Sequence, residues 1–149
     1  TGVPSSYRWL LSKTLDYMQQ IKIIISEKES SIMYQVTIKE KEAMVDAFRE
    51  EGIFVTFGDN APDTLKDFCY SIDVNPVDGE VTPGCKLVID GKEFKIVKVG
   101  EVANENLKNL GHVTYNFGGE DAECLPGTIC MEKAELPALD IGSTIAIVK

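Results

Sequence analysis

The sequence predicts an all-β domain, a partly open or closed barrel (or a sandwich) of six or more strands with a few short helices. Short apolar segments that alternate with polar residues recur along the chain. Asp90-Gly91 separates two of these segments and is a strong hairpin signal. Long helices do not alternate with the strands, which disfavours a doubly wound parallel sheet. A barrel or sandwich of short strands therefore fits best.

The first half of this domain predicts two strands and two helical segments. Tyr34–Ile38 and Ile53–Phe57 have the alternation and the β-branched and aromatic residues of strands. Glu40–Arg49 is predicted to be a short helix that ends near Gly52, because its apolar residues fall on one side. Pro62–Phe68 is predicted to form one or two helical turns, with proline near the start.

The second half predicts a hairpin, a helix and three more strands. The hairpin joins Cys85–Ile89 to Glu93–Val99, because Asp-Gly supplies the positive φ angles of a tight turn. Asn104–Leu110 is predicted to be a short helix, and Gly111 fits its left-handed C-terminal cap. The remaining predicted strands are His112–Phe117, Thr128–Met131 and Ser143–Val148.

Residues 1–32 are predicted to be an N-terminal extension, and residues 33–149 the domain itself. Apolar residues recur at spacings of three and four between Tyr7 and Ile21, which is typical of an amphipathic helix. Met33 directly precedes the first predicted strand and is a candidate natural start. Two interpretations stay open: a translated leader or cloning-derived sequence, or a real helix whose apolar stripe packs on a neighbouring subunit.

The charge excludes some classes of partner. The formal net charge is −9, from 15 lysines and arginines against 24 aspartates and glutamates. A nucleic-acid-binding protein needs a basic face, and binding to an anionic membrane surface is disfavoured for the same reason. The acidity either keeps the domain soluble or attracts a basic protein partner.

The four cysteines predict free thiols and a cytoplasmic protein. No pair has the C-x-x-C spacing of a zinc site or a redox dithiol, and no secretory signal is visible. The apolar stretch from Tyr7 to Ile25 is interrupted by charged and amide side chains, so no segment is expected to insert into a membrane.

The residues that could carry chemistry are few. His112 is the only histidine, and no cysteine or glutamate accompanies it at a metal-ligand spacing. There is no glycine-rich phosphate loop and no Gly-x-Ser-x-Gly elbow. We therefore expect no metal and no cofactor, and the residues alone indicate an acidic β-rich domain, with a small-ligand barrel as one reading.

One continuous segment resembles a known family. The run GEVANENLKNLGHVT, from Gly100 to Thr114, is similar to the signature of the glucitol/sorbitol-specific enzyme IIA component of the phosphoenolpyruvate-dependent sugar phosphotransferase system. Leu125–Thr128 and Gly58–Pro62 also resemble segments of that family, and the resemblance covers Met33 to Lys149.

The resemblance implies a place in a phosphorelay. Such proteins are cytoplasmic phosphotransferases that accept phosphate from the carrier HPr and pass it to the IIB domain of the IIB/IIC sugar permease. The group that carries the phosphate is an imidazole, which is nucleophilic near neutral pH.

The chain departs from the family pattern at the position that the family phosphorylates. The resemblance places the phosphorylated histidine three residues after the position of Cys69, where this chain has Ile72. Isoleucine cannot carry phosphate, so His112 and the neighbouring Asp73 become the candidate acceptors. The family also has a histidine at the position of His112. The alternative is a regulatory or protein-binding module that keeps the fold without carrying phosphate.

Overall fold

The computed structural model describes residues 5–149, which divide into two units at Ser31/Ile32. The first unit contains helix α1 (Ser5–Ser31), which is longer than the predicted periodic stretch. The second unit, Ile32–Lys149, is the β-rich domain. Residues 1–4 of the predicted extension lie outside the described residues.

The domain consists of one nine-stranded sheet that curls into a half-barrel, which confirms the predicted fold class. Its strand order is β1-β9-β5-β6-β8-β7-β3-β4-β2. The strands are β1 (Ile32–Thr37), β2 (Glu40–Lys41), β3 (Ile53–Phe57), β4 (Cys69–Ser71), β5 (Lys86–Ile89), β6 (Lys92–Val99), β7 (Val113–Asn116), β8 (Thr128–Met131) and β9 (Thr144–Val148).

The sheet is mainly antiparallel, and two pairs of neighbouring strands are parallel. Strand β3 runs parallel to β4, and β7 runs parallel to β8. The helices α2 (Asp63–Lys66) and α3 (Ala103–Leu110) lie in connections between strands. The β3–β4 connection contains the short α2, and the β7–β8 connection contains a 3-10 helix, Gly119–Asp121. Both parallel pairs are therefore joined without a long crossover helix.

The Asp90-Gly91 hairpin is confirmed. Asp90 has a φ of 50° and Gly91 a φ of 85°, the left-handed conformations of a primed two-residue turn. Strands β5 and β6 pair in antiparallel register on either side. The Asp90 carboxylate also accepts a hydrogen bond of 2.8 Å from the backbone N–H of Thr144, which ties the turn to β9.

The predicted helix over Glu40–Arg49 is wrong. The segment begins with the two-residue strand β2 and continues into a 3-10 helix, Val45–Glu51. Its backbone bonds to β4 and to the residues just before β4. Strand β2 pairs with β4, and the Met44 N–H donates to the Asp67 carbonyl over 2.9 Å. These non-local bonds replace the i→i+4 bonds of an α-helix. Gly52, at a φ of 73°, ends the 3-10 helix where glycine was predicted to end the element.

The core is aromatic where the adjacent strands β7, β3 and β4 meet. Phe54 of β3 stacks on Tyr115 of β7 at 4.7 Å between ring centroids and meets Tyr70 of β4 edge-on at 6.0 Å. Such pairs add to the apolar burial that holds these three strands together. The hydroxyls of Tyr34 and Tyr115 are buried and have no hydrogen-bond partner among the described residues.

Candidate functional site

The candidate site forms where the end of β3 meets the C-terminal cap of α3. The Thr56 hydroxyl donates to the Gly111 carbonyl over 2.9 Å, and the Gly58 N–H donates to the Leu110 carbonyl over 2.9 Å. Gly111 has a φ of 62°, so it ends the helix in the left-handed conformation that the sequence predicted. The cap therefore delivers the next residue, His112, directly beside β3.

The imidazole of His112 is held on two sides by β3. Its Nδ1 lies 3.2 Å from the Thr56 carbonyl oxygen, and its ring stacks on Phe57 with 4.3 Å between centroids. A carbonyl oxygen can only accept, so Nδ1 carries the proton of the neutral ring and Nε2 carries the lone pair. Nε2 has no hydrogen-bond partner in the part of the chain that the structure describes. The ring thus presents one unengaged nucleophilic nitrogen.

His112 lines an open cavity of about 340 Å³. The walls are mostly apolar and come from the 3-10 helix, α2 and strands β3, β4 and β7. The lining residues are Phe48, Val55, Thr64, Leu65, Phe68, Cys69, His112 and Thr114. The rings of Phe48 and Phe68 contact each other at 5.7 Å. The sequence pattern did not indicate this cavity, because its wall residues lie far apart in the chain.

Cys69 is not a nucleophile in this cavity. Its thiol donates to the Leu65 carbonyl over 3.2 Å, and burial raises the pKa of the thiol to about 11. A cysteine needs its thiolate to react, and this one stays protonated near neutral pH.

Ile72 is a core residue. Its side chain is 0% exposed, and its N–H donates to the Phe57 carbonyl over 3.0 Å. The isoleucine lies against Gly111, where an added Cβ would be 3.2 Å from Cδ1 of Ile72. The position that the family resemblance gives to the phosphorylated histidine is therefore a buried hydrocarbon in this chain, next to the residue that precedes His112.

Asp73 faces solvent and is paired with a lysine. Its carboxylate lies 2.8 Å from Nζ of Lys39, which also lies 2.9 Å from the carboxylate of Asp59. Hydrogen bonds to Asp73 and then to Asp59 raise the pKa of Lys39. All three groups are well exposed, so the pairs contribute little to stability. The structure thus brings Ile72 and His112 together around Phe57 and leaves Asp73 in a separate ion pair.

Among the side chains that the structure describes, those of residues 7–24 and 31–149, no cluster of three or more histidine, cysteine, aspartate or glutamate residues could hold a metal ion. In the same range, no helix is both long enough and apolar enough to cross a bilayer.

Comparison with known proteins decides the family. Residues 33–146 match the family described as the PTS system glucitol/sorbitol-specific IIA component. The chain belongs to the glucitol/sorbitol-specific IIA family. The PTS system glucitol/sorbitol-specific EIIA component of Escherichia coli (strain K12) is 32% identical over 100 residues, which are 66% of this chain and 80% of that protein. Its namesake from Shigella flexneri is 30% identical over 99 residues, with the same two shares.

A solved structure supports the same assignment. The crystal structure of a PTS system IIA component from Enterococcus faecalis V583 superimposes with a TM-score of 0.66 at 26% identity. The superposition covers 78% of this chain and 100% of that one. The predicted family is therefore confirmed, and the match begins at Met33, where the resemblance was expected to begin.

Proposed function

We propose that this glucitol/sorbitol-specific IIA component accepts phosphate from HPr and passes it to IIB of the sugar permease, and that Nε2 of His112 carries it. The HPr and IIB partners and the cytoplasmic location are part of this proposal, and the family membership of the chain supports them. The observation that supports the acceptor is the geometry of His112: the only imidazole in the chain has Nδ1 bound to a carbonyl and Nε2 unengaged, in a ring that lines an open cavity.

The bond changes at His112 are simple. The Nε2 lone pair attacks the phosphorus of phosphorylated HPr, the bond from phosphorus to the HPr nitrogen breaks, and that nitrogen recovers the electron pair. The Thr56 carbonyl keeps the ring oriented and favours the positive charge that develops on it, because Nδ1–H then donates to the carbonyl more strongly. In the transfer to IIB, a nucleophile of IIB attacks the phosphorus on His112, the bond from phosphorus to Nε2 breaks, and Nε2 recovers its electron pair.

The other two candidates fit less well. Ile72 has no nucleophilic atom and no exposed surface. The Asp73 carboxylate is exposed but is bound to Lys39. An acyl phosphate there would have to replace this ion pair, although the lysine could also help to neutralise the phosphoryl group.

A second candidate function is a regulatory or protein-binding module that carries no phosphate. The observation that favours it is the full burial of an isoleucine at the family's phosphorylated position. The fold and the apolar cavity would then serve only to bind a partner of the relay.

One experiment separates the two functions. The full chain is incubated with phosphoenolpyruvate, enzyme I and HPr, and its mass is measured. We expect a gain of one phosphoryl group that is stable in base, lost in acid and absent from His112→Gln. Asp73→Asn is the matched control and should be phosphorylated normally. Hydroxylamine-labile phosphate that disappears in Asp73→Asn would instead assign the acceptor to Asp73.

Absence of phosphate on the unmodified chain would overturn the proposed function. Ile72→His, compared with Ile72→Gln, then tests the second candidate. If only Ile72→His gains phosphate, the HPr-binding surface is intact and the chain is a IIA fold that has lost its acceptor. If neither variant gains phosphate, the HPr-binding surface is lost as well.

A further inference from the structure

Helix α1 carries a wide apolar face that is independent of the candidate site. Successive helical residues are rotated by about 100°, which places eight large apolar side chains on one half of the helix circumference. Each of them has between 38% and 68% of its surface exposed. These side chains are Tyr7, Leu10, Leu11, Leu15, Tyr17, Met18, Ile21 and Ile24.

The opposite half of α1 is mainly polar. Six of its eight residues are polar, and Trp9 and Ile23 are the two exposed apolar exceptions. The polar residues are Arg8, Ser12, Lys13, Asp16, Gln19 and Gln20. A helix with one apolar half and one polar half requires a partner along the apolar side.

The exposed apolar area is as large as a protein interface. At roughly 200 Å² for a large apolar residue in full exposure, the eight side chains expose on the order of 800 Å². The largest apolar patch of a typical monomer is about 300–600 Å², and each partner in a standard interface contributes about 800 Å². The face is therefore larger than a monomer usually leaves in water.

The spacing of the face favours another helix as its occupant. Tyr7, Leu11, Thr14, Met18 and Ile21 follow one another at steps of four, three, four and three, which is the heptad spacing of helices that pack along their length. Thr14 is the polar member of this seam. Its hydroxyl donates to the Leu10 carbonyl of its own helix over 3.0 Å, so the seam can close over it without leaving a donor unpaired.

A lipid surface fits this helix less well. Interfacial helices usually have a polar face rich in lysine and arginine, which anionic headgroups attract. Between Tyr7 and Ile24, α1 has three basic residues, Arg8, Lys13 and Lys22, and one acidic residue, Asp16, so its polar half is not rich in cations. The whole chain has a net charge of −9, which disfavours binding to an anionic membrane.

We propose that α1 is a self-association surface, and that its occupant is α1 of a second copy of this chain. The Leu11/Met18 seam forms the centre of the contact, and the apolar residues beside it widen the contact. The proposal rests on the residues of α1 alone, so it does not depend on the phosphorelay.

The test is the molar mass of the full chain in solution. Light scattering after size exclusion, at concentrations from about 1 to 100 μM, should give at least twice the 16.4 kDa of one chain. Leu11→Asp/Met18→Asp puts charges into the seam and should raise the dissociation constant by about 100-fold or more. Ser12→Asp/Gln19→Asp adds the same charges on the polar half and should leave the mass unchanged.

Several results would overturn the proposal. A full chain that is monomeric at about 100 μM would exclude a second copy as the occupant. An oligomer that the seam variant does not dissociate would place the interface elsewhere. Co-sedimentation of a monomeric chain with neutral or anionic vesicles would assign the face to lipid. Far-ultraviolet circular dichroism of both variants checks that the β-rich domain remains folded.

Discussion

Replacing Thr56 with valine should weaken the contact between β3 and the cap of α3. Valine has nearly the shape of threonine, so the packing is kept while one hydroxyl is lost. Thr56 is completely buried, and its hydroxyl bonds the Gly111 carbonyl at 2.9 Å. In Thr56→Val this carbonyl lies in the protein interior without its donor.

The size of the effect follows from that unpaired group. A buried acceptor that loses its partner costs about 1–3 kcal/mol, and the added methyl group offsets part of this. We expect a net loss of about 1–2 kcal/mol in the free energy of unfolding. For a chain of this length, this lowers the midpoint of thermal unfolding by about 2–8 °C.

Urea and thermal unfolding measure the loss, and nuclear magnetic resonance of the His112 ring nitrogens measures its effect on the site. The preference of the ring for the Nδ1–H form should weaken, since the segment that carries it loses one of two hydrogen bonds to the end of β3 and keeps the bond from Gly58 to Leu110. Thr56→Ser keeps the hydroxyl and should keep this preference. Thr37→Val, at an exposed position of β1, is the matched control for the exchange itself. If Thr56→Val is as stable as this control, the inferred role of the hydroxyl is refuted.

Three further predictions concern the rest of the chain. Tyr34→Phe removes a buried hydroxyl that has no partner among the described residues, so urea unfolding should show a change below about 0.5 kcal/mol or a gain; a loss above about 1 kcal/mol would reveal a hidden partner. An aromatic disulfide reagent at pH 8 should label Cys124, which is half-buried, well before the three buried cysteines. Burial raises the pKa of Cys69 to about 11, and burial is the largest cause that raises the pKa of Cys130 to about 12. Peptide mapping checks the order, and rapid labelling of Cys69 would contradict it. A chain that starts at Met33 lacks α1 and loses only Ile32 from the strands, so its thermal midpoint should lie within about 10 °C of that of the full chain. A larger fall would show that α1 is part of the fold.

The elements that the sequence predicted well are those set by local chemistry. The Asp90-Gly91 turn needs only its own two residues and their backbone preferences. The end of α3 at Gly111 is equally local. Glu40–Arg49 failed because its backbone bonds reach Asp67 and Ser71, which no local periodicity contains.

The candidate site was predictable only in part. His112 stood out because it is the only imidazole, and Ile72 because the family resemblance marked its position. The partner that orients the ring, Thr56, lies 56 residues away in the chain. The cavity combines residues from the 3-10 helix, α2 and three strands, so it exists only after the strands have found their order.

The pairing of the first and last strands has a consequence for circular permutation of this domain. Ile32 lies opposite Val148 in the β1–β9 register, so the two ends of the domain are one strand spacing apart, about 5 Å. A linker of a few residues from Lys149 to Ile32 would therefore close the chain without strain, and new ends could be opened at Gly91, which is exposed in the hairpin turn. The segments could thus follow one another in a different order along the gene, while the strands keep the same order in the sheet.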